Sequence, residues 1–447
     1  MSGHYDEASL QEYLDDPESF PHRNDLETHI LLCATCRTML DELRAFEAAL
    51  ASEAVWNAVN GDDPPESVSE LADLLESEDA DAQAALSPYL GSPAAFRRAH
   101  IASIPEMRTA GIVRRLCAES RALRDRQPMH ALYIADAAIA ISEQLSHETY
   151  PTPVIDELRG WGWLERANVL RHLGRHAEAL DALDIAARAF THSPVAAYSL
   201  ALVDYLRGVI FVELERLDEG LRLVRRSARV FRQFGEDERY VHAKLIEAGV
   251  LFDRNLYREA RDLLIPLITV AKELGQARTL AHVYGNVANC QLRLQDLESA
   301  ELYFGRALSL YEALGIEIER VRTRWNIGSL RIAGGNIADG LARLREVRAE
   351  FEALGMRSDA ALVTLDLTEA LLASGTPDAV REAAELAASL VASFTAVGMT
   401  GSALTALAFL REAFEAGSAT PVLVRHVRDF LESRPDQRDL IFIPPPQ

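Results

Sequence analysis

The chain has 447 residues, 49% of them hydrophobic and 26% charged, with a formal net charge of −22. That apolar content is ordinary for folded domains, and the length allows two or three of them. The acidity is uneven: residues 1–100 hold 21 Asp and Glu against 5 Arg, so −16 of the −22 lies there. Such a balance argues against direct binding of nucleic acid, which needs a basic face, and favours a basic partner for the N-terminal part. The longest apolar run, around Leu263–Ala271, is too short to span a bilayer, and the start MSGHYDEASL has no apolar stretch of signal-peptide type. Only 4 cysteines occur, so a cytoplasmic protein without membrane contact or a disulfide framework is expected.

In chain order, Leu10, Tyr13 and Leu14 make the apolar face of a first helix, which Asp15, Asp16 and Pro17 end. Asn24 and Asp25 open a second helix carrying His29, Cys33 and Cys36, an H-x3-C-x2-C pattern. Residues three and four apart share a helix face, so these three side chains can meet one ion. Two thiolates and two imidazoles suit tetrahedral zinc. The fourth ligand must come from another segment, with His4 and His22 as candidates. Four protein ligands leave no open position, which argues for a structural rather than a catalytic metal. Leu40, Leu43, Phe46, Leu50 and Ala54 continue a helical stripe up to Gly61, Pro64 and Pro65. Residues 1–60 are therefore expected to form a small zinc-clipped helical domain. Residues 61–106, acidic and containing Pro64, Pro65, Pro88, Pro93 and Pro105, read as a connector with short helices. Cys117 and Cys290 sit in apolar helical patterns and are expected to be buried hydrophobes.

From residue 107 the chain repeats. Small residues recur at Ala167, Gly208, Ala248, Ala288 and Gly328, and again twelve residues later at Ala179, Gly220, Ala260, Ala300 and Gly340. Small side chains at such points let two antiparallel helices approach closely. Gly235, Gly275, Gly315, Gly355 and Gly398 follow the apolar ends of helical segments, as a left-handed glycine does when it closes a helix. The pattern predicts helix, turn, helix and glycine stop over 107–415. A capping helix within PVLVRHVRDFLES and an extended or disordered tail are expected over 416–447.

These repeats resemble the tetratricopeptide repeat. The small-residue pair twelve apart matches, as do Ala186 and Ala307 seven further on and the turn glycines Gly174, Gly335 and Gly375. The period is about 40 rather than the usual 34. The resemblance implies an all-α fold, a right-handed solenoid whose first helices line the inner surface. Trp161, Asn168, Arg171, Tyr205, His242, His282, Asn286, Asn289, Arg322, Trp325 and Asn326 would then face inward. A contact for a peptide or protein is expected to centre on Asn286, Asn289, Arg322, Trp325 and Asn326, because amides can bond a peptide backbone and arginine can clamp a carboxylate.

Residues 4–60 resemble the zinc-binding anti-sigma domain of bacteria, through His29, Cys33 and Cys36 with Leu10, Tyr13 and Leu14 around them. That resemblance implies His4 as the fourth ligand and an alternative sigma factor as partner. It also implies that the helix after the metal site, about Thr38–Val59, docks between sigma regions. The enzyme motifs of phosphate loops, dinucleotide folds, zinc proteases and hydrolases are absent from the sequence, so no enzyme is expected. The expected function is that of a regulatory protein, its zinc domain on a sigma factor and its repeats on a second protein or peptide. The alternatives are a repeat scaffold, or a peptide-sensing receptor, with a purely structural zinc.

Overall fold

In the computed structural model, the residues described are 4–5, 10, 13–14, 23–50, 66–88, 104–191, 193, 195–397, 402–432 and 442–445. Among them the chain is all-helical, with nineteen α-helices, one short 3-10 turn and no strand. It divides into two compact units, Met1–Glu247 and Ala248–Gln447.

The first unit begins with α1 (Arg23–Leu32) and α2 (Ala34–Leu50). Leu10, Leu26, Leu40 and Leu43 are buried together, with Tyr5, Tyr13 and Leu14 packed on them. The apolar face read on the first segment therefore finds its counterpart on α1 and α2. The Tyr13 hydroxyl donates to the Glu27 carboxylate at 3.1 Å, which ties that segment to α1. Ala54 and the rest of 51–65 lie outside the described residues.

Helix α3 (Glu66–Leu86), 21 residues long, lies in the stretch expected to be a connector with short helices. Its Leu71, Leu75, Ala82 and Leu86 follow helical spacing and pack into one core with Ile112, Val113 and Leu116 of α4 (Ala110–Leu123), and with Ile134, Ala138 and Ile141 of α5 (Pro128–Ser142). The contact is close: a Cβ on Gly111 would lie 2.4 Å from the Glu78 carbonyl oxygen. Glu78 also serves the N-terminus of α4. Its carboxylate accepts from the Gly111 N–H at 3.1 Å and from the Tyr150 hydroxyl, while that hydroxyl accepts from the Ala110 N–H at 3.3 Å. Thr109 caps Ile112. Three first-turn donors that a helix leaves unmet are thus satisfied.

The helix pairs continue as α6 (Thr152–His172) with α7 (His176–Phe190), then α8 (Ala196–Glu213) with α9 (Leu217–Gln233). The boundary between the units falls within α10 (Asp237–Asp253). The small-residue pairs lie where helices touch. A Cβ on Gly220 would stand 2.7 Å from the Gly208 carbonyl oxygen, and Ala167 and Ala179 are fully buried. Phe190 and Phe231 fill the core beside them.

The second unit holds α11 (Tyr257–Glu273), α12 (Ala277–Arg293), α13 (Leu297–Leu314), α14 (Glu317–Ala333), α15 (Ile337–Ala353), α16 (Arg357–Ser374), α17 (Pro377–Val397), α18 (Ser402–Glu415) and α19 (Pro421–Glu432). Phe304 and Phe351 are fully buried, and a Cβ on Gly340 would lie 2.9 Å from the Gly328 carbonyl oxygen. Gly235, Gly275, Gly315 and Gly355 all take φ between 64° and 73° after a helix, as expected of closing glycines; Gly398 lies outside the described residues. The capping helix is present as α19, with Val424, Val427 and Leu431 buried. Phe442 of the tail is 7% exposed and packs on Phe409, His426 and Phe430, while the His426 Nε2 and the Ile443 carbonyl are 2.8 Å apart. No helix of the described residues is long and apolar enough to cross a membrane.

Candidate metal centre and repeat cavities

His4, His29, Cys33 and Cys36 come together: one ligand atom from each lies within 4.8 Å of all the others. His4 Nδ1 is 3.2 Å from Cys33 Sγ and 3.7 Å from Cys36 Sγ. Metal–ligand distances near 2.0–2.3 Å in a tetrahedron would separate neighbouring donors by roughly 3.3–3.8 Å. The donors present fit that group. A further observation agrees: His29 Nε2 is buried and has no hydrogen-bond partner among the described residues. His22 lies outside them.

The backbone explains the convergence. The helix that carries the motif is broken at one residue, Cys33, between α1 and α2. The Cys33 N–H still donates to the His29 carbonyl at 2.8 Å, and the Arg37 N–H to the Cys33 carbonyl at 3.1 Å, so His29 and Cys36 keep nearly the same face. The Arg37 guanidinium takes up the carbonyls of Ile30 and Leu31, at 3.2 and 2.6 Å, which lie just before the break. Cys33 then stands at the N-terminus of α2. The Cys36 N–H reaches back to its sulfur and holds the thiol down to about 6, with His4 adding to the effect. Helix N-termini favour a thiolate in this way. Burial pushes the Cys36 thiol up.

Two residues here were not singled out from the sequence. Tyr5 packs its ring edge-on to His29, with centroids 5.2 Å apart, and its carbonyl is 4.0 Å from Cys36 Sγ. Arg37 sits six and seven residues past the carbonyls it caps, a signal readable only once the break at Cys33 is known. Cys117 and Cys290 are buried, and burial raises both thiols.

In the repeats, a cavity of about 470 Å³ in the first unit is lined by Trp161, Asn168, Arg171, Tyr205 and His242, all of which were expected to face inward. The five residues on which a contact was expected to centre occupy α12 and α14. Asn286 Nδ2 donates to the His282 carbonyl at 2.9 Å. Arg322 pairs with Asp359 at 3.3 Å and Glu319 at 3.2 Å. Trp325 Nε1 donates to Asp366 at 2.6 Å, and its ring packs edge-on to Phe351. Asn289 and Asn326 are half-buried. A larger cavity of about 700 Å³ in the second unit is lined by Ser329, Asp366, Arg425 and Arg428 among others, and by none of those five. There Asp366 receives both Trp325 and Arg428, the latter at 2.9 Å, and burial raises its carboxyl to about 6 against the pull of Arg428.

No family model and no curated protein matches the chain. Solved structures do. The chain is similar to a Signal Transduction ATPase with Numerous Domains protein with a tetratricopeptide repeat sensor from Pyrococcus horikoshii, at 12% identity over 75% of this chain and 53% of that one, with a TM-score of 0.50. It is also similar to the apo form of RapI, at 16% identity over 62% and 97% of the two chains with a TM-score of 0.47. A Rap protein complexed with competence and sporulation factor aligns at 14% identity over 83% and 99%, with a TM-score of 0.46. At such identities the likeness concerns the fold alone. The fold is a tetratricopeptide-like helical repeat.

Proposed function

We propose that the chain is a regulatory protein-interaction protein, with its N-terminal helices clipped by zinc and binding a sigma factor, and its repeats binding a second protein or peptide. The observation that carries the reading is the four-donor cluster built around the helix break at Cys33. His4, His29, Cys33 and Cys36 would hold the ion, and zinc there supplies a structural cross-link rather than a reaction. His4 fixes the first segment to α1 and α2, and the small leucine core of residues 10–43 does the rest. In this reading α2 is the docking helix, and the net charge of −16 over residues 1–100 complements a basic, DNA-contacting surface of the partner. The test is co-expression of the full chain with each alternative sigma factor of the source organism. Capture at low salt that is lost on chelation, and that weakens with added salt, supports the reading. No capture with zinc occupancy confirmed replaces it with the second reading, a peptide-sensing receptor with purely structural zinc. The cavity lined by Trp161, Asn168, Arg171, Tyr205 and His242 is what favours that second reading.

A further inference from the structure

The break at Cys33 runs against what the backbone would do alone. In an unbroken helix the carbonyls of Ile30 and Leu31 would accept from the N–H groups of Ala34 and Thr35, and the Cys36 N–H would go to the Leu32 carbonyl. Among the described residues, the backbone bonds at the break are those from Cys33 to His29 and from Arg37 to Cys33. The Cys36 N–H turns instead to the Cys33 sulfur, which faces His4 Nδ1 at 3.2 Å. The geometry of the four donors therefore needs the helix to stay broken, while closing it would add backbone bonds.

Arg37 stands where it can hold the break open. A helical side chain leans toward the N-terminus of its own helix, so that of Arg37 lies over the turn before it. Its Nε donates to the Ile30 carbonyl at 3.2 Å and its Nη2 to the Leu31 carbonyl at 2.6 Å. Those are the two carbonyls that Ala34 and Thr35 would need in order to join α1 to α2. The planar guanidinium presents several N–H donors in a fixed fork, which suits two successive carbonyls; a lysine ammonium is a point charge without that fork.

We infer that Arg37 is a positioning residue of the metal centre: its guanidinium keeps α1 and α2 apart at Cys33, and so sets how tightly His4, His29, Cys33 and Cys36 hold zinc. The inference rests on reading that cluster as a zinc site. Groups that orient the ligands without touching the metal change affinity by about 10–100-fold when removed. Arg37 is exposed, where water takes over part of its bonding, so the lower end of about tenfold is expected.

The experiment uses the full chain, loaded with zinc under reducing conditions and titrated with a chromophoric chelator. Arg, Lys and Met are near-equal helix formers, so Arg37→Lys and Arg37→Met differ chiefly in their donors. Arg37→Met should raise the zinc Kd and the rate of zinc loss, each about tenfold. Arg37→Lys still serves one carbonyl and should stay within about threefold of wild type. Arg44→Met removes the same charge from α2, at a pair with Asp41 whose charged atoms are 3.6 Å apart, and should leave the Kd unchanged. Cobalt at saturation gives a second readout: its ligand-field bands in Arg37→Met should match those of wild type, because the four ligands are the same. A wild-type Kd in Arg37→Met would overturn the inference. So would equal losses in Arg37→Met and Arg37→Lys, an equal loss in Arg44→Met, or altered cobalt bands at saturation. A wild-type chain that binds no zinc overturns the zinc reading and this inference together, whereas zinc-binding wild type beside an unchanged Arg37→Met overturns this inference alone.

Discussion

Removing the Glu78 carboxylate should loosen α3 from α4. Glu78→Ala deletes an acceptor for the Gly111 N–H and for the Tyr150 hydroxyl, and leaves a helix N-terminus without its anion. Hydrogen bonds to a charged group contribute about 1.5–3 kcal/mol each, and an anion at a helix N-terminus about 0.3–1 kcal/mol more. Glu78 is half-buried, so the lower ends apply, and the expected loss is about 3 kcal/mol, or roughly 6–12 °C in Tm for a cooperative unit of this size. Glu78→Gln keeps one acceptor and should lose about half as much. Urea unfolding of wild type, Glu78→Ala, Tyr150→Phe and the double variant gives the coupling, expected at about 1 kcal/mol or more because the two side chains touch. Hydrogen exchange at Gly111 should quicken in both Glu78 variants. A Glu78→Ala loss under about 0.5 kcal/mol, with additive doubles, would refute the role given to α3. The same reasoning predicts that residues 66–447 are better behaved than residues 107–447, which lack the Leu71, Leu75, Ala82 and Leu86 side of that core.

Gly220→Ala should destabilise by about 1–2 kcal/mol, since the new methyl meets Val212 and the Gly208 carbonyl, and this crowding outweighs the better helix propensity. Gly305→Ala, in mid-helix with open space around it, should instead stabilise by about 0.5–1 kcal/mol, and denaturant midpoints of both variants check the contrast. The Asp366 carboxyl, raised by burial to about 6, binds its proton more tightly folded than unfolded. Its contribution is complete below the ordinary carboxylate range near pH 4 and falls as pH rises through about 6, so stability of Asp366→Asn relative to wild type should rise between pH 4.5 and 7.5.

Much of the fold was legible because helix pairs repeat a constraint. The close approach at Gly208 and Gly220 admits only small residues; Gly328 and Gly340 meet in the same way, and Ala167, Ala179, Ala248, Ala260, Ala288 and Ala300 are buried at the matching positions, so the period shows through. The turn within each pair was less legible. Gly174, Gly335 and Gly375 mark it, but Glu215, Asn255 and Gln295 take the same left-handed conformation, with φ of 59°, 61° and 63°. Tertiary packing of the flanking helices holds these side chains where glycine would be easier. Helix α3 was hidden by the acidity around it: Glu78 looks like one charge among many until Gly111 and Tyr150 are beside it. At the metal centre, the ligand types and spacing were readable, while the break at Cys33 and the Arg37 cap follow from three-dimensional geometry. In the tail, a lone Phe442 gives no periodicity from which its seat on Phe409, His426 and Phe430 could be found.

Metal stoichiometry tests the central claim most directly. Elemental analysis of the reductively purified full chain should find one zinc per molecule, lost in Cys33→Ser and weakened in His4→Ala. Chelation should melt the segment that holds the leucine core of residues 10–43 and spare the helix pairs, because structural zinc supplies on the order of 10 kcal/mol to a segment with little other core. Unchanged affinity in His4→Ala would move the fourth ligand to His22 or to solvent. Protein that carries no metal, or that keeps full zinc in Cys33→Ser, would contradict the account.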